Sequence, residues 1–337
     1  MTLVDAEARP GARVAALRRN PLLRFLVLRA VHGAGTLLMV SMLVFWATQL
    51  LPGDAANAVL GRSATAESLA ALKAQLGLDQ PVLNQYWSWL TGVLTGNFGA
   101  SLVTGETVGG IVGDRVLNSG VLLLIAGFVG TVIGVLSGLV AAAKRDRAFD
   151  HVTSVTALVI TALPEFVVGV ALILLFATGV LHVLPAASPL SPGMAPWDDW
   201  RLLALPLLTL IVVIVPYVFR MVRAVAIETL ESEYVQTARL KGLRHRDILL
   251  RHALPNIVPA TVQAVGLSVL YLAGGVVVVE VVFNYPVVGQ GLVQSVATRD
   301  IPVIQLLTLL LAAFYVLVNI ATDLATLMAT PKRRIPR

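Results

Sequence analysis

Apolar windows of 18 residues or more without a charged side chain run over 30–51, 119–143, 202–219, 257–279 and 301–322. A sixth, 152–178, is interrupted by one carboxylate, Glu165. A bilayer core roughly 30 Å thick needs about 20 apolar residues of helix to cross it. Six transmembrane helices are therefore expected. Window 202–219 is the shortest and holds Pro206 and Pro216, which neighbouring helices can tolerate by satisfying the freed carbonyls. Only 13% of the 337 residues are charged and the mean hydropathy is +0.84. A soluble domain carries roughly a quarter charged residues, so a water-facing globule and a disordered chain are both excluded. The first window is longer than a signal-peptide core and no A-x-A site follows it, which favours an uncleaved helix.

The net charge of +6 suits either nucleic acid or an anionic membrane surface, and the positions of the charges decide between them. Twenty of the 25 Lys and Arg residues fall at 9–29, 144–147, 220–251 and 332–337, segments that alternate across the expected spans onto one side. Arg62, Lys73, Arg115, Arg201 and Arg299 are left for the other side. Basic residues mark the cytoplasmic side of membrane proteins. The expectation is an all-α membrane protein with both termini cytoplasmic, the lipid bilayer as its surroundings and no nucleic acid as partner. Its parts are a cytoplasmic segment 1–29, a first span with a long extracytoplasmic segment (30–118), a five-helix core (119–331) and a short tail (332–337).

In the outer segment, Thr65 can cap a helix with Leu69, Leu72 and Leu76 on one face and Gly77 as its stop. A second helix after Pro81 carries Tyr86, Trp87 and Trp89, aromatics suited to the headgroup layer. These helices either pack on the bundle or belong to a docking surface for an external partner. Residues 179–201 read as a proline-rich outer loop.

Hydrolytic chemistry is absent. The chain has no cysteine, so thiolate metal sites and Cys nucleophiles are excluded. Lys73, Lys144, Lys241 and Lys332 are followed by Ala, Arg, Gly and Arg, whereas a phosphate-binding loop needs Ser or Thr there. The five histidines form no H-E-x-x-H or comparable ligand set. No catalytic residue, cofactor or metal is expected in this chain, which reads as a conduit and not as an enzyme.

One cytoplasmic segment stands out: E-Y-V-Q-T-A-R-L-K-G-L over 233–243, then R-H-A-L-P-N over 251–256. It reads as a short helix starting near Glu228, Glu231 and Glu233, acidic residues that suit a helix N-terminus. Ala238 is small enough for a close backbone approach, and Gly242 can take the left-handed conformation that ends a helix. A second short helix, 245–253, leads to Pro255 and the fifth span. A helix–Gly–helix of this kind suits insertion into a partner's groove; it equally suits an ordinary basic loop at the membrane surface.

This segment resembles the E-A-A-x-x-x-G loop of binding-protein-dependent ABC importer permeases, in the form found in the dipeptide/oligopeptide/nickel group. Further stretches are similar to that group in order and distance: L-L-P-G-D over 50–54, L-G-L-D-Q-P over 76–81 with Gln85 and Tyr86, G-N-F-G over 96–99 with Ser101, then Gly275, Glu280, Val282, Phe283, Pro286 and Gly289, and finally Arg299, Asp300, Pro302, Val318, Asn319 and Asp323. Leu240 stands where the group has Ala, Val287 and Val288 where Gly-Leu is common, and the ending A-T-P-K-R-R over 329–334 lacks the usual D-P-R. The resemblance covers about residues 24–334. It implies the six-helix fold of type I ABC importer permeases in a bacterial inner membrane. It also implies an ATPase-coupling loop, 228–256, in which Glu233, Tyr234, Ala238, Arg239, Lys241, Gly242, His252 and Pro255 take part. The partners implied are a second homologous permease, in a heterodimer, two cytoplasmic ATPases that bind the ATP and magnesium, and an extracytoplasmic solute-binding protein. Di- and oligopeptides are the solutes it favours, with nickel, glutathione or another small solute as alternatives. An ion-coupled secondary transporter is the competing class, and it would leave the Gly242 loop without a role.

Within the spans, a carboxylate is costly and normally faces a cavity or a partner. Glu165 either lines the pathway, meeting a peptide amino terminus or cation, or makes a structural hydrogen bond near Pro164. Glu280 is a second pathway candidate; it and Asp323 lie nearer span ends, where caps or snorkelling also explain them. Gly127, Gly130, Gly134 and Gly138 form a small-residue stripe that lets helices approach closely.

Overall fold

The computed structural model describes residues 21–50, 65, 67, 79–191 and 193–330. Among these every named element is a helix: α1 (Pro21–Gln49), α2 (Val82–Thr95), α3 (Val108–Ala143), α4 (Ala148–Ala162), α5 (Glu165–Ile173, prolonged by a π-helical turn, Leu174–Thr178), α6 (Trp200–Glu231), α7 (Glu233–Leu240), the single turn α8 (His245–Asp247), α9 (Leu254–Phe283), α10 (Val288–Thr298) and α11 (Ile301–Ala329). The helix expected over Leu69, Leu72 and Leu76 lies outside the described residues.

Five helices are long and apolar enough to cross a membrane, and the α4–α5 pair makes a sixth crossing if it counts as one. That pair corrects the single span expected over 152–178: the two helices meet at a bend of 103°. Pro164 causes the break. A proline disfavours the helical region for the residue before it, and Leu163 is extended at φ −85° and ψ 134°. Glu165 therefore does not sit mid-helix. It opens α5, where its charge complements the helix dipole.

The shortest expected span, 202–219, becomes the centre of the molecule. α6 runs for 32 residues with Pro206 and Pro216 inside it, about 48 Å at 1.5 Å per residue. Of its most apolar stretch 56% is buried, against 22–33% for the other four long helices. α3 lies along it through the glycine stripe. A Cβ on Gly134 would stand 2.6 Å from the Val218 Cβ, and one on Gly138 would stand 2.9 Å from the Phe219 carbonyl oxygen. Only hydrogen side chains allow that approach. Leu205, Leu210, Ile214, Val218 and Val222 of α6 pack with Leu122 and Ala126 of α3 and with Leu272, Val279 and Phe283 of α9.

At one end of the bundle the chain is tied by buried polar contacts. Asp300, before α11, accepts from the Ser101 hydroxyl and from the Leu102 amide at 3.1 Å. The Asn118 amide group reaches the Pro286 carbonyl at 2.9 Å, and the Val288 amide donates to Ser119 at 3.0 Å. Tyr86 of α2 is buried, its hydroxyl 2.9 Å from Ser41 and its ring edge-on to Phe45, while Trp87 is half exposed. For Tyr86, packing on the bundle explains the aromatic.

Candidate functional site: the loop helix and the groups beneath it

α6 ends at Glu231, and a one-residue break at Ser232 starts α7. Glu228 and Glu231 thus close α6 instead of opening the loop helix, and only Glu233 lies in the first turn of α7. The break is bound tightly: the Ser232 hydroxyl donates to the Thr229 carbonyl at 2.5 Å and the Gln236 side chain to the Glu231 carbonyl at 2.9 Å. α7 stops as its glycine requires. Gly242 has φ +75°, its amide reaches the Arg239 carbonyl at 2.9 Å, and the Leu243 amide reaches the Ala238 carbonyl at 3.3 Å. That pair of bonds satisfies two orphan carbonyls at the helix end.

The helix has two faces. Val235 and Ala238 turn inward onto Ile248, all at most 5% exposed. The small side chain of Ala238 therefore serves a close approach to this chain's own 248–253 turn, not to a partner. Outward stand Glu233, Gln236, Thr237, Arg239, Lys241 and Gly242, with the apolar side chains of Tyr234, Leu243 and Leu240, the last 89% exposed. Arg244, Arg246 and Arg251 continue the basic rim. The expected second helix over 245–253 is one α turn followed by a π-helical turn, Ile248–Ala253, that runs into α9. His252 is half-buried, with Nδ1 3.3 Å from the Asp247 carbonyl. Pro255 is the second residue of α9.

Beneath α7 lies a polar layer that the sequence reading missed. Arg223 of α6 grips Asp150 of α4 with two hydrogen bonds, 2.5 and 2.7 Å, and the Asp146 amide donates to the same carboxylate at 3.2 Å. Arg145 pairs with Glu231. Arg145, Glu231 and Arg239 line a cleft with Ala142, Ala143, Ile227 and Leu230, which lies between the loop helix and the α3–α4 turn. Arg29 of α1 pairs with Asp323 of α11. These partners lie far apart in sequence, Asp150 and Arg223 by 73 residues, and no spacing rule would have joined them.

The intramembrane candidates separate. Glu165 is half-buried in the first turn of α5, which packs on α6 and α9, within electrostatic reach of Tyr271 of α9, whose ring lies 4.7 Å from that of Tyr217 of α6. Glu280 falls on α9, and its side chain lies outside the described residues. No group of three or more His, Asp or Glu that could hold a metal ion occurs among the described residues.

Two family models match the chain: the "Binding-protein-dependent transport system inner membrane component" over residues 130–335, and the N-terminal model of the membrane component of the same systems over residues 22–119. A protein named as a peptide permease in Brucella suis biovar 1 is 36% identical over 320 residues, 93% of this chain and all of its own. The glutathione transport system permease protein of Escherichia coli K12 is 33% identical over 313 residues, 93% of this chain and 99% of its own. A chain from the crystal structure of an amino acid ABC transporter with histidines is similar over 73% of this chain and 98% of its own, at 20% identity and a TM-score of 0.46. The family models and the two permease relatives set the ion-coupled alternative aside. With its long apolar helices and its projecting loop helix, the chain belongs to the binding-protein-dependent transport system inner membrane components, the multi-pass permeases of ABC importers in the bacterial plasma membrane.

Proposed function

We propose that this permease imports di- and oligopeptides, as one of two homologous permease subunits, taken as a heterodimer, that together enclose the pathway. Both termini lie in the cytoplasm, with six crossings in all. The observation that carries the reading is α7. It is a short helix stopped at a left-handed glycine, presenting Tyr234, Leu240 and Leu243 inside a basic rim and tied to the end of the 48 Å rod of α6. Such a face fits an apolar groove with an acidic edge on a cytoplasmic ATPase. Closure of two ATPases, which bind the ATP and magnesium, moves the helix, and α6 carries the displacement to the far side of the membrane. There a solute-binding protein delivers the cargo. Peptide cargo is supported by the relatives named for peptide and glutathione transport, glutathione being itself a tripeptide.

The test is Gly242→Val in the assembled transporter in proteoliposomes, with dipeptide-loaded binding protein outside. A β-branched residue at φ +75° is strained by about 1–3 kcal/mol, enough to unwind the stop of α7. Solute-stimulated ATP hydrolysis and dipeptide uptake should both be lost while membrane insertion is kept. Unchanged stimulation would overturn the coupling assignment.

A further inference from the structure

We infer that Glu165, Tyr217 and Tyr271 form a subsite of the solute pathway that takes a primary ammonium group of the solute. The inference rests on the pathway reading above and adds to it the chemistry of one contact. Three helices supply the three residues. Tyr217 is the eighteenth of the 32 residues of α6, and Tyr271 the eighteenth of the 30 residues of α9. The two rings stand 4.7 Å apart at 40° to one another. Glu165 opens α5 directly after the Pro164 break, and α5 packs on both α6 and α9.

A carboxylate among membrane-spanning helices needs a cation or a water-filled space. Among the described residues no Lys, Arg or His forms an ion pair with Glu165. Interrupted helix backbone at membrane depth occurs where it is buried in protein or lines a cavity. Glu165 is half-buried and Tyr271 is 41% exposed, so the cluster is open on a side this chain does not cover. One anionic group near two electron-rich rings is complementary to an ammonium ion, which offers three donors and a compact charge. It rejects a carboxylate by charge. The free amino terminus of a peptide, or a side-chain amine, has the required form.

Saturation-transfer NMR tests the site on the whole permease–ATPase complex in nanodiscs, without binding protein, so that selection by that protein does not enter. The probes are trialanine and N-acetyl-trialanine, which differ in the ammonium group. The unmodified complex should transfer saturation to trialanine at least threefold more strongly than to the acetylated form. Glu165→Gln should bring that ratio to about one, and Tyr271→Phe, which keeps the ring and removes the hydroxyl contact, should reduce it less. Equal transfer to both peptides by the unmodified complex would overturn the proposal. So would a preference that survives Glu165→Gln, the outcome if the carboxylate serves only helix packing or a cation of the second permease. If Glu165→Gln does not assemble with its partners, Tyr271→Leu decides alone, and a retained preference counts against the site. Stimulation of the unmodified complex by solute-loaded binding protein reports separately on the importer reading, so the two failures are distinguishable.

Discussion

The stripe of glycines on α3 makes a quantitative prediction because its members differ in what a methyl group would meet. At Gly134 an added Cβ would stand 2.6 Å from the Val218 Cβ, 2.9 Å from its Cγ1 and 3.1 Å from the Val215 carbonyl oxygen. Carbon pairs prefer 3.5–4.0 Å, so α3 and α6 must separate by close to 1 Å, and the carbonyl cannot rotate out of the way. A gap of 0.5–1 Å forfeits a quarter to a half of each dispersion contact along the seam, and overpacking of this kind costs about 1–3 kcal/mol. At Gly127 the nearest atom is Val269 Cγ2 at 3.9 Å, an ordinary contact. Both substitutions gain the same helix propensity, about 1 kcal/mol for Gly→Ala, so their difference isolates the clash. Gly134→Ala should therefore be less stable than Gly127→Ala by about 1–3 kcal/mol. The measurement is equilibrium unfolding of the purified subunit in mixed micelles, followed by a steric trap or by helicity. If the two variants unfold together, or if Gly127→Ala is the weaker, close α3–α6 packing is not what the stripe provides.

The Arg223–Asp150 pair makes an asymmetric prediction. The Asp150 side chain is 2% exposed and that of Arg223 28%, so Arg223→Ala strands a buried carboxylate and should cost about 3–5 kcal/mol. Asp150→Ala leaves a guanidinium that can still reach water and should cost less; the reverse order in the same unfolding assay would refute the burial argument. Leu240→Glu alters a side chain that is 89% exposed, so subunit stability should change by less than about 0.5 kcal/mol. Co-purification of the ATPase subunits should nevertheless fall, and undiminished co-purification would remove Leu240 from the docking face.

Elements defined by local pattern were legible in the sequence. Sustained apolar length marks a candidate membrane helix, because the bilayer itself sets the requirement. The five long apolar helices appear where the apolar windows lie, although α6 extends twelve residues past its window, to Glu231. The left-handed stop at Gly242 and the close approach of the glycine stripe were readable for the same reason, being properties of one residue type at one spacing. Apolar content along 152–178 could not disclose a 103° bend, since hydropathy averages over direction. Proline spacing did not help either: Pro206 and Pro216 sit inside a continuous helix, whereas Pro164 breaks one.

The sequence by itself determined that the chain lives in a bilayer, where its long apolar helices lie, and which loop carries a short helix stopped at a glycine. Those are questions of solvent and of local backbone preference, and each is answered within a window of some twenty residues. Only the tertiary structure decided which face of α7 is exposed, that Ala238 belongs to the interior, that Arg223 closes on Asp150, and that Tyr217 and Tyr271 meet from distant helices. Side-chain pairing across helices depends on rotation and depth in the bundle, which packing sets and no single stretch of sequence records.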